Sequence, residues 1–566
     1  MKLVVVGGVA GGASAAARVR RLDASAEIKV FDKGRDVSYS NCSLPYYLGG
    51  VVENSADLVM MTPQSFKNGH DIQVFTGMEV TAIDRAKHEV TVKDLAAGKE
   101  FTESYDKLVL SPGAKPVMPK SIKGIDGPNV FSLRDVVDVE KIKQHIVNSG
   151  AKDIVVVGGG FIGIEVAENL KSAGYNVCVV EGLEQILQPY DYDMVQILHK
   201  ELDDNGVKLY LKSQVTEIGD GFVKAVRDGK EFEIKADCTV MAIGVAPETS
   251  LAKAAGLEIG ETGGIKVNEH FQTSDPDIYA VGDAIESFNA ITGKPGRLAL
   301  AGPAQRQARA AADHICGREE RPIGFIGSSC IKVFSKNAAS TGLTEKACKA
   351  NGLNYDSVLV FPSDKVGLMP DSHYMAFKLI FDTTNGRLLG AQAIGLGEAD
   401  KRVNAVAALI SMGGTIDDLR ELELCYSPVY ATAKDVVNMA ALVATNVYNK
   451  DFKQVHVSDV RGLVESGAYI IDVRDEDEWE CGHIKTAHNI PMGQLRGRLD
   501  EVPKDRPVYL HCRSSQRSYY CLCALRGRGF TNVVNISGSF LGISLYEYFN
   551  DKDLGREPIV TAYNFD

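Results

Sequence analysis

The sequence predicts an α/β fold, and three observations carry that prediction. Apolar strand Lys2–Val6 runs into the glycine-rich turn Gly7-Gly8-Val9-Ala10-Gly11-Gly12 and an alanine-rich helix. Strand Asp153–Val157 runs into Gly158-Gly159-Gly160-Phe161-Ile162-Gly163 and a second helix. Near the other end, strand Val508–Leu510 leads into the loop His511-Cys512-Arg513-Ser514-Ser515-Gln516-Arg517-Ser518. At 566 residues the chain is long enough for about three or four domains.

Composition narrows the class. With 45% hydrophobic and 24% charged residues, this is a soluble globular chain. A net charge of −12 argues against nucleic-acid binding and predicts repulsion from anionic membrane surfaces. Eleven scattered cysteines form no disulfide framework and point to a reducing cytoplasm. Lys2 and the apolar run after it resemble a signal peptide only superficially. The run holds four glycines and leads into Arg18, Arg20 and Arg21, so strand, turn and helix explain it better. No stretch of about 18 apolar residues predicts a membrane span.

The first unit continues with strand Glu27–Phe31, ending at Asp32 and Lys33. In this βαβ layout a helix N-terminus holds a pyrophosphate, and an acid about 20 residues on holds the ribose hydroxyls. Val9 stands where the fingerprint has its middle glycine. The second unit fits G-x-G-x-x-G fully, with Gly158, Gly160, Phe161, Ile162 and Gly163 in the turn. Helix Ile164–Ala173 and strand Tyr175–Val180 follow, and Glu181 caps the strand. Glu181 accepts from a ribose 2′-hydroxyl and repels a 2′-phosphate, and no arginine directly follows it, so NADH is expected over NADPH. Two Rossmann-like domains in tandem imply a bound flavin and a transient nicotinamide.

Two further segments carry a family resemblance. Tyr105–Ala114, with Ser111 and Gly113, closes the first unit, and Thr273–Asp283 ends in Gly282-Asp283. Over about residues 1–445 the chain resembles the pyridine nucleotide-disulfide oxidoreductase family. That resemblance implies a discontinuous FAD domain (1–115 and 245–324), an NAD(P)H domain (116–244) and an α+β dimerisation domain (325–445). It places FAD against Gly7, Gly8, Ala10, Gly11, Gly12, Asp32, Lys33, Asn41, Ser111, Gly113, Gly282 and Asp283. It also implies a homodimer in which Leu422–Tyr430 reaches across, bringing Tyr426 and Tyr430 toward the partner's flavin and thiol.

Cys42 lies in Ser40-Asn41-Cys42-Ser43-Leu44-Pro45, and the next cysteine is Cys178. Without a neighbouring thiol, its oxidised form is a mixed disulfide, a persulfide or a sulfenic acid. The first glycine loop and Ser38-Tyr39-Ser40-Asn41-Cys42 resemble the coenzyme A-disulfide reductase branch. On that resemblance Ser14, Arg18, Arg21, Ser38 and Asn41 line a coenzyme A site, with Arg18 and Arg21 (i, i+3) pairing its phosphates. The alternative, an NADH oxidase or peroxidase using a cysteine sulfenic acid, carries a histidine where this chain has Ala10. A second alternative is a non-enzymatic redox sensor that only binds nucleotides. Lys365–Pro370 departs from the His/Tyr-containing stretch of these reductases, and Ser43 replaces a common glycine.

Residues 446–455 read as a polar linker, and 456–566 resemble a single rhodanese domain. The resemblance rests on Asp472-Val473-Arg474, Trp479–Ile484, Ala487–Pro491 and the Cys512 loop. Four residues separate Cys512 from Arg517, as in sulfurtransferases, whereas phosphatases place five there. Inward backbone N–H groups at a helix N-terminus would lower the thiol pKa and hold a persulfide. Ser515 replaces a common glycine. Cys481, Cys521, Cys523 and His483 are expected to be structural, and no cluster shows zinc-site spacing, so no metal is expected. Together the resemblances imply NADH-driven, FAD-dependent reduction of coenzyme A disulfide, coenzyme A persulfide or polysulfide at Cys42. Sulfane sulfur would be handled at Cys512.

Overall fold

Five parallel strands build the first sheet, in the order Ile278–Ala280, Lys107–Leu110, Lys2–Val6, Glu27–Asp32 and Gln73–Thr76. Leu3, Val4 and Val5 are fully buried, the continuous apolar run of a strand covered on both faces. Helix Ala10–Leu22 covers it and packs against helix Ala301–Ile315. The computed structural model describes residues 1–319, 321 and 324–565. Residues 320, 322 and 323 of the expected FAD domain and residue 566 of the expected rhodanese domain therefore lie outside the described residues.

A second five-stranded parallel sheet runs Lys208–Tyr210, Asn176–Val180, Asp153–Val157, Cys238–Met241 and Val130–Ser132. Its helix, Phe161–Ser172, starts three residues before the expected Ile164, because the turn residues Phe161, Ile162 and Gly163 are already wound. Strands Ala114–Pro116 and Val245–Pro247 pair where the chain leaves the first sheet and returns.

The chain folds as two compact units. One holds residues 1–184 and 207–325; the other holds 185–206 and the residues from 326 onward. Segment 185–206, with helix Tyr192–Asp204, thus departs from the expected 116–244 domain. A buried charge cluster explains its allegiance. The Lys378 ammonium lies 3.3, 2.8 and 2.7 Å from carboxylates of Asp191, Asp193 and Glu345.

The second unit contains an antiparallel sheet ordered Ser329–Val333, Lys336–Gly342, Leu388–Gly395, Ala376–Asp382 and Tyr355–Val360. Its last sheet is parallel, in the order Lys453–Val455, Val533–Ile536, Val508–His511, Tyr469–Asp472 and His488–Asn489. Residues 446–455 are not an unstructured linker. Helix Val436–Tyr448 runs into them, and Lys453–Val455 is an edge strand of the last sheet. Buried Phe452 anchors the stretch, and Gln454 Nε2 donates to the Ser357 carbonyl at 2.8 Å. No helix among the described residues is long and apolar enough to cross a membrane.

Candidate functional site

Both glycine turns are built the same way. Gly7 has φ +94°, and a Cβ there would sit 2.2 Å from the Ser111 carbonyl oxygen. At Gly12 a Cβ would lie 1.8 Å from the Gly7 oxygen. In the second turn, Gly158 has φ +111° and Gly163 would place its Cβ 2.0 Å from the Gly158 oxygen. Gly160 has open space around it, as a close-approaching phosphate requires. Neither helix start carries a side-chain cap, so its leading N–H groups are left for an anion.

An acid braces each turn. Asp32 accepts from the N–H groups of Gly8 and Gly34, each at 2.7 Å. Glu181 accepts from Gly159 N–H at 2.6 Å and from Leu183 N–H at 2.8 Å. Lys33 is exposed beside Asp32, and Phe161 and Ile162 lead the second helix, with Ile162 exposed. Ala10 opens the first helix, and buried Gly11 leaves room for the Ser111 hydroxyl. Gly113 and Gly282 both have positive φ, and Gly282 N–H donates to Gln307 Oε1 at 2.9 Å. Burial pushes the neighbouring Asp283 carboxyl up, against the pull of Arg134.

Cys42 lies in the same unit, on the single turn Asn41–Ser43 ahead of helix Leu44–Leu48. Asn41 and Cys42 are exposed. Ser43 is held by a 2.7 Å hydroxyl–hydroxyl bond to Ser40. Ser38, in the left-handed region at φ +48°, donates its N–H to the Gly8 carbonyl and so ties this segment to the first turn. The protein packed around the Cys42 sulfur desolvates it, and the Glu165 and Asp283 carboxylates add like charge, so its thiol is pushed up. Glu165 is itself pushed up to about 7 by burial and by Glu168. Sequence reading missed Glu165, whose only signal was its place one turn into the helix after Gly163.

The expected basic face of the first helix is half absent. Arg18 is turned inward, its Nε 2.7 Å from Asp313 Oδ1, because fully buried Asp313 needs a cation. Arg21 is exposed and Ser14 half-buried.

In the second unit the Cys512 loop is clamped from below. Cys512 is 1% exposed, and its N–H donates to Ser539 Oγ at 3.2 Å. The first amides of helix Ser539–Leu554 hold the loop's carbonyls: Phe540 N–H reaches Cys512 O at 3.0 Å and Leu541 N–H reaches Arg513 O at 3.1 Å. Ser515 takes the left-handed conformation a glycine would favour, φ +74°, and its hydroxyl holds it there by donating to Ile536 O at 3.0 Å. Ser518 Oγ donates to Ser515 O, and Gln516 opens helix Gln516–Arg526. Arg517 forks onto Glu478 through two 2.6 Å bonds. Beneath the loop, fully buried Arg474 is paired with Asp472 at 2.6 Å. A cavity of about 460 Å³ opens over Cys512, lined by Arg513, Ser514, Gln516 and Arg517 among others. Ser539 and Glu478 escaped sequence reading, since neither belongs to the loop's own spacing.

Other expected positions fall elsewhere. Cys521 is buried, whereas Cys481 and Cys523, also expected to be structural, are exposed. His483 stacks on Trp479 at 3.7 Å between ring centres. Tyr426 and Tyr430 are exposed on the same stretch. Lys365–Pro370 forms a compact turn closed by Lys365 and Asp371 at 2.5 Å.

Residues 1–308 match the pyridine nucleotide-disulphide oxidoreductase family, and 328–436 match its dimerisation domain. Residues 456–545 match the rhodanese-like domain. A coenzyme A disulfide reductase of Staphylococcus haemolyticus is 35% identical over 447 residues, 79% of this chain and 100% of that protein. The structure of reduced Bacillus anthracis CoADR-RHD superposes with a TM-score of 0.94 at 39% identity, covering 97% of this chain and 98% of that one. A NAD-dependent persulfide reductase from A. fulgidus gives 0.89 at 35% identity, covering 95% and 99%.

Proposed function

Because the chain belongs to the pyridine nucleotide-disulphide oxidoreductase family and carries a rhodanese-like domain, it is an NAD(P)H-dependent flavoprotein disulfide reductase, and we propose that its acceptors are coenzyme A persulfide, coenzyme A disulfide or polysulfide. The observation that carries this reading is Cys42: exposed, free, and without a second thiol in its segment. FAD suits the first turn, where Gly7 and Gly12 admit no Cβ and the helix start is uncapped. NADH suits the second turn, where Glu181 stands in the place of a 2′-phosphate partner. Bound FAD would relay the electron pair of NADH to sulfur at Cys42.

Cys42 then acts as a nucleophile. Its thiolate attacks the inner sulfur of a coenzyme A persulfide, forming a mixed disulfide and expelling hydrosulfide with the bonding pair. Two electrons and one proton return the mixed disulfide to Cys42 thiolate and coenzyme A thiol. Arg21, Ser14, Ser38 and Asn41 remain the residues proposed for the coenzyme; Arg18 would have to leave Asp313 to join them. Cys512 accepts sulfane sulfur in the second unit and passes it to a thiol. The dimerisation domain, with Tyr426 and Tyr430 exposed, supports a homodimer, and eleven free cysteines support a cytoplasmic site of action.

Steady-state NADH oxidation with coenzyme A disulfide, coenzyme A persulfide, glutathione persulfide and polysulfide tests the proposal. Cys42→Ser is expected to keep its flavin and lose turnover with all four. Oxygen consumption without any sulfur acceptor, at a rate matching the persulfide reaction, would establish the oxidase alternative instead.

A further inference from the structure

We propose that Tyr374, a residue of the dimerisation domain, is a specificity-determining wall of the Cys512 cavity and selects an anionic organic thiol as sulfur acceptor. The inference rests on the sulfurtransfer reading of Cys512 given above. Tyr374 and Asn564 line the cavity together with the loop, and neither lies within the residues that match the rhodanese-like domain.

Size points first. The cavity holds about 460 Å³. Cyanide or thiosulfate fills only a few water volumes of about 30 Å³ each, whereas cavities of about 300–1,000 Å³ suit organic ligands. The Cys512 sulfur is almost wholly buried, so an acceptor thiol must enter the cavity to reach it. The rest of the acceptor then lies against the lining. Arg513 and Arg517 bring guanidinium donors to the lining, Arg517 also paired to Glu478 and 3.6 Å from Asp475, and such donors suit the oxygens of an anionic acceptor. Tyr374, 51% exposed, supplies the aromatic surface a carbon chain needs.

Tyr374 is held in register with the loop. It pairs with Ser363 in an antiparallel bridge, flanked by His373 N–H to Asp364 Oδ1 and Met375 N–H to Pro362 O, both at 2.9 Å. That hairpin continues into strand Tyr355–Val360, whose Leu359, with Phe361 just beyond it, presses on the start of helix Ser539–Leu554. Any Cβ at Gly538 would stand 3.0 Å from Leu359, and any at Gly542 would stand 3.4 Å from Phe361. Leu359 N–H also donates to Ser537 Oγ at 3.2 Å. The same helix start holds the Cys512 and Arg513 carbonyls. Tyr374 is therefore positioned by the elements that position the sulfur.

The transfer balances without an added oxidant. Cys512 thiolate takes the outer sulfur of thiosulfate as sulfite leaves with the bonding pair. An acceptor thiolate then attacks the terminal sulfur, giving its own persulfide and restoring Cys512 thiolate.

The test uses the full chain, thiosulfate as donor, and either coenzyme A or cyanide as acceptor. Tyr374→Ala is expected to raise KM for coenzyme A about fivefold to tenfold, with kcat and cyanide transfer changed less than about twofold. Tyr374→Phe should restore the wild-type KM, because the ring and not the hydroxyl is the contact. An unchanged KM for coenzyme A in Tyr374→Ala, or equal losses with both acceptors, overturns the inference while leaving Cys512 chemistry standing. A wild-type chain that transfers sulfur to neither acceptor removes the Cys512 reading itself, and the inference with it.

Discussion

Glu181 offers a quantitative test of nucleotide choice. Both its carboxylate oxygens are spent on backbone N–H groups, those of Gly159 and Leu183, so the side chain is fixed, and in the proposed NADH site a 2′-substituent would meet it there. At a separation of about 5 Å and an effective dielectric of about 20, each unit of phosphate charge meets about 3 kcal/mol of repulsion. Glu181 is only partly buried, and salt screening brings the net discrimination to about 1–3 kcal/mol, or roughly tenfold to a hundredfold. Initial-rate kcat/KM values with NADH and NADPH, at one saturating sulfur acceptor, read this directly. Glu181→Gln removes the charge and keeps one acceptor oxygen for Gly159. The NADH-over-NADPH ratio should fall about tenfold, mostly through a lower KM for NADPH. Glu181→Arg frees both backbone donors and loosens the turn, so its gain with NADPH should be smaller than the new charge alone predicts. Equal efficiency of the two nucleotides with the wild-type chain would refute the argument, as would an unchanged ratio in Glu181→Gln.

Three further expectations follow from the two sulfur centres and the first turn. Cys512→Ser should abolish sulfurtransfer from thiosulfate yet leave reduction of preformed coenzyme A disulfide near wild type; equal loss in both assays would make the domain structural only. Because partial desolvation of the sulfur, Glu165 and Asp283 all raise the Cys42 thiol, its alkylation by iodoacetamide should rise at higher pH than that of a free cysteine. Glu165→Gln removes one like charge and should move that pH profile downward, so a profile that stays put would dissociate Glu165 from Cys42. Gly12→Ala places a methyl group against the Gly7 carbonyl and should cost about 2–4 kcal/mol in the turn. Purified Gly12→Ala protein should then lack flavin absorbance, and a full yellow yield would contradict the cradle.

Local pattern made much of this legible. Strands Lys2–Val6 and Asp153–Val157 have the bounds their aliphatic runs predict, because glycine turns stop both abruptly. The Cys512 loop was recognisable from its own spacing. What stayed hidden depends on partners remote in sequence. Arg18 reads with Arg21 as a phosphate partner on one helix face, but Asp313, 295 residues away, pairs with it. Glu478 reads as one acid among several in Glu476–Glu480, yet it alone meets Arg517 through a two-pronged pair. Lys378 lies in an otherwise apolar strand, and its three acids come from two other segments of the chain. Periodicity assigns such residues to a face and is silent about which charge meets which.

The late return of Ile278–Ala280 to the first sheet has a consequence for biosynthesis. This strand pairs with Lys107–Leu110, which therefore waits with one edge unpaired while the whole second sheet is translated. At about 5–20 residues per second, the interval from residue 110 to residue 278 lasts roughly ten to thirty seconds. Over that time the nascent chain presents a short, aliphatic open edge, the kind of surface that recruits stray strands or chaperones. Asp283 follows that strand by three residues, so the flavin cradle proposed above would be completed late in synthesis. A ribosome stalled before residue 278 would hold a chain with its first glycine turn made and no sheet finished around it.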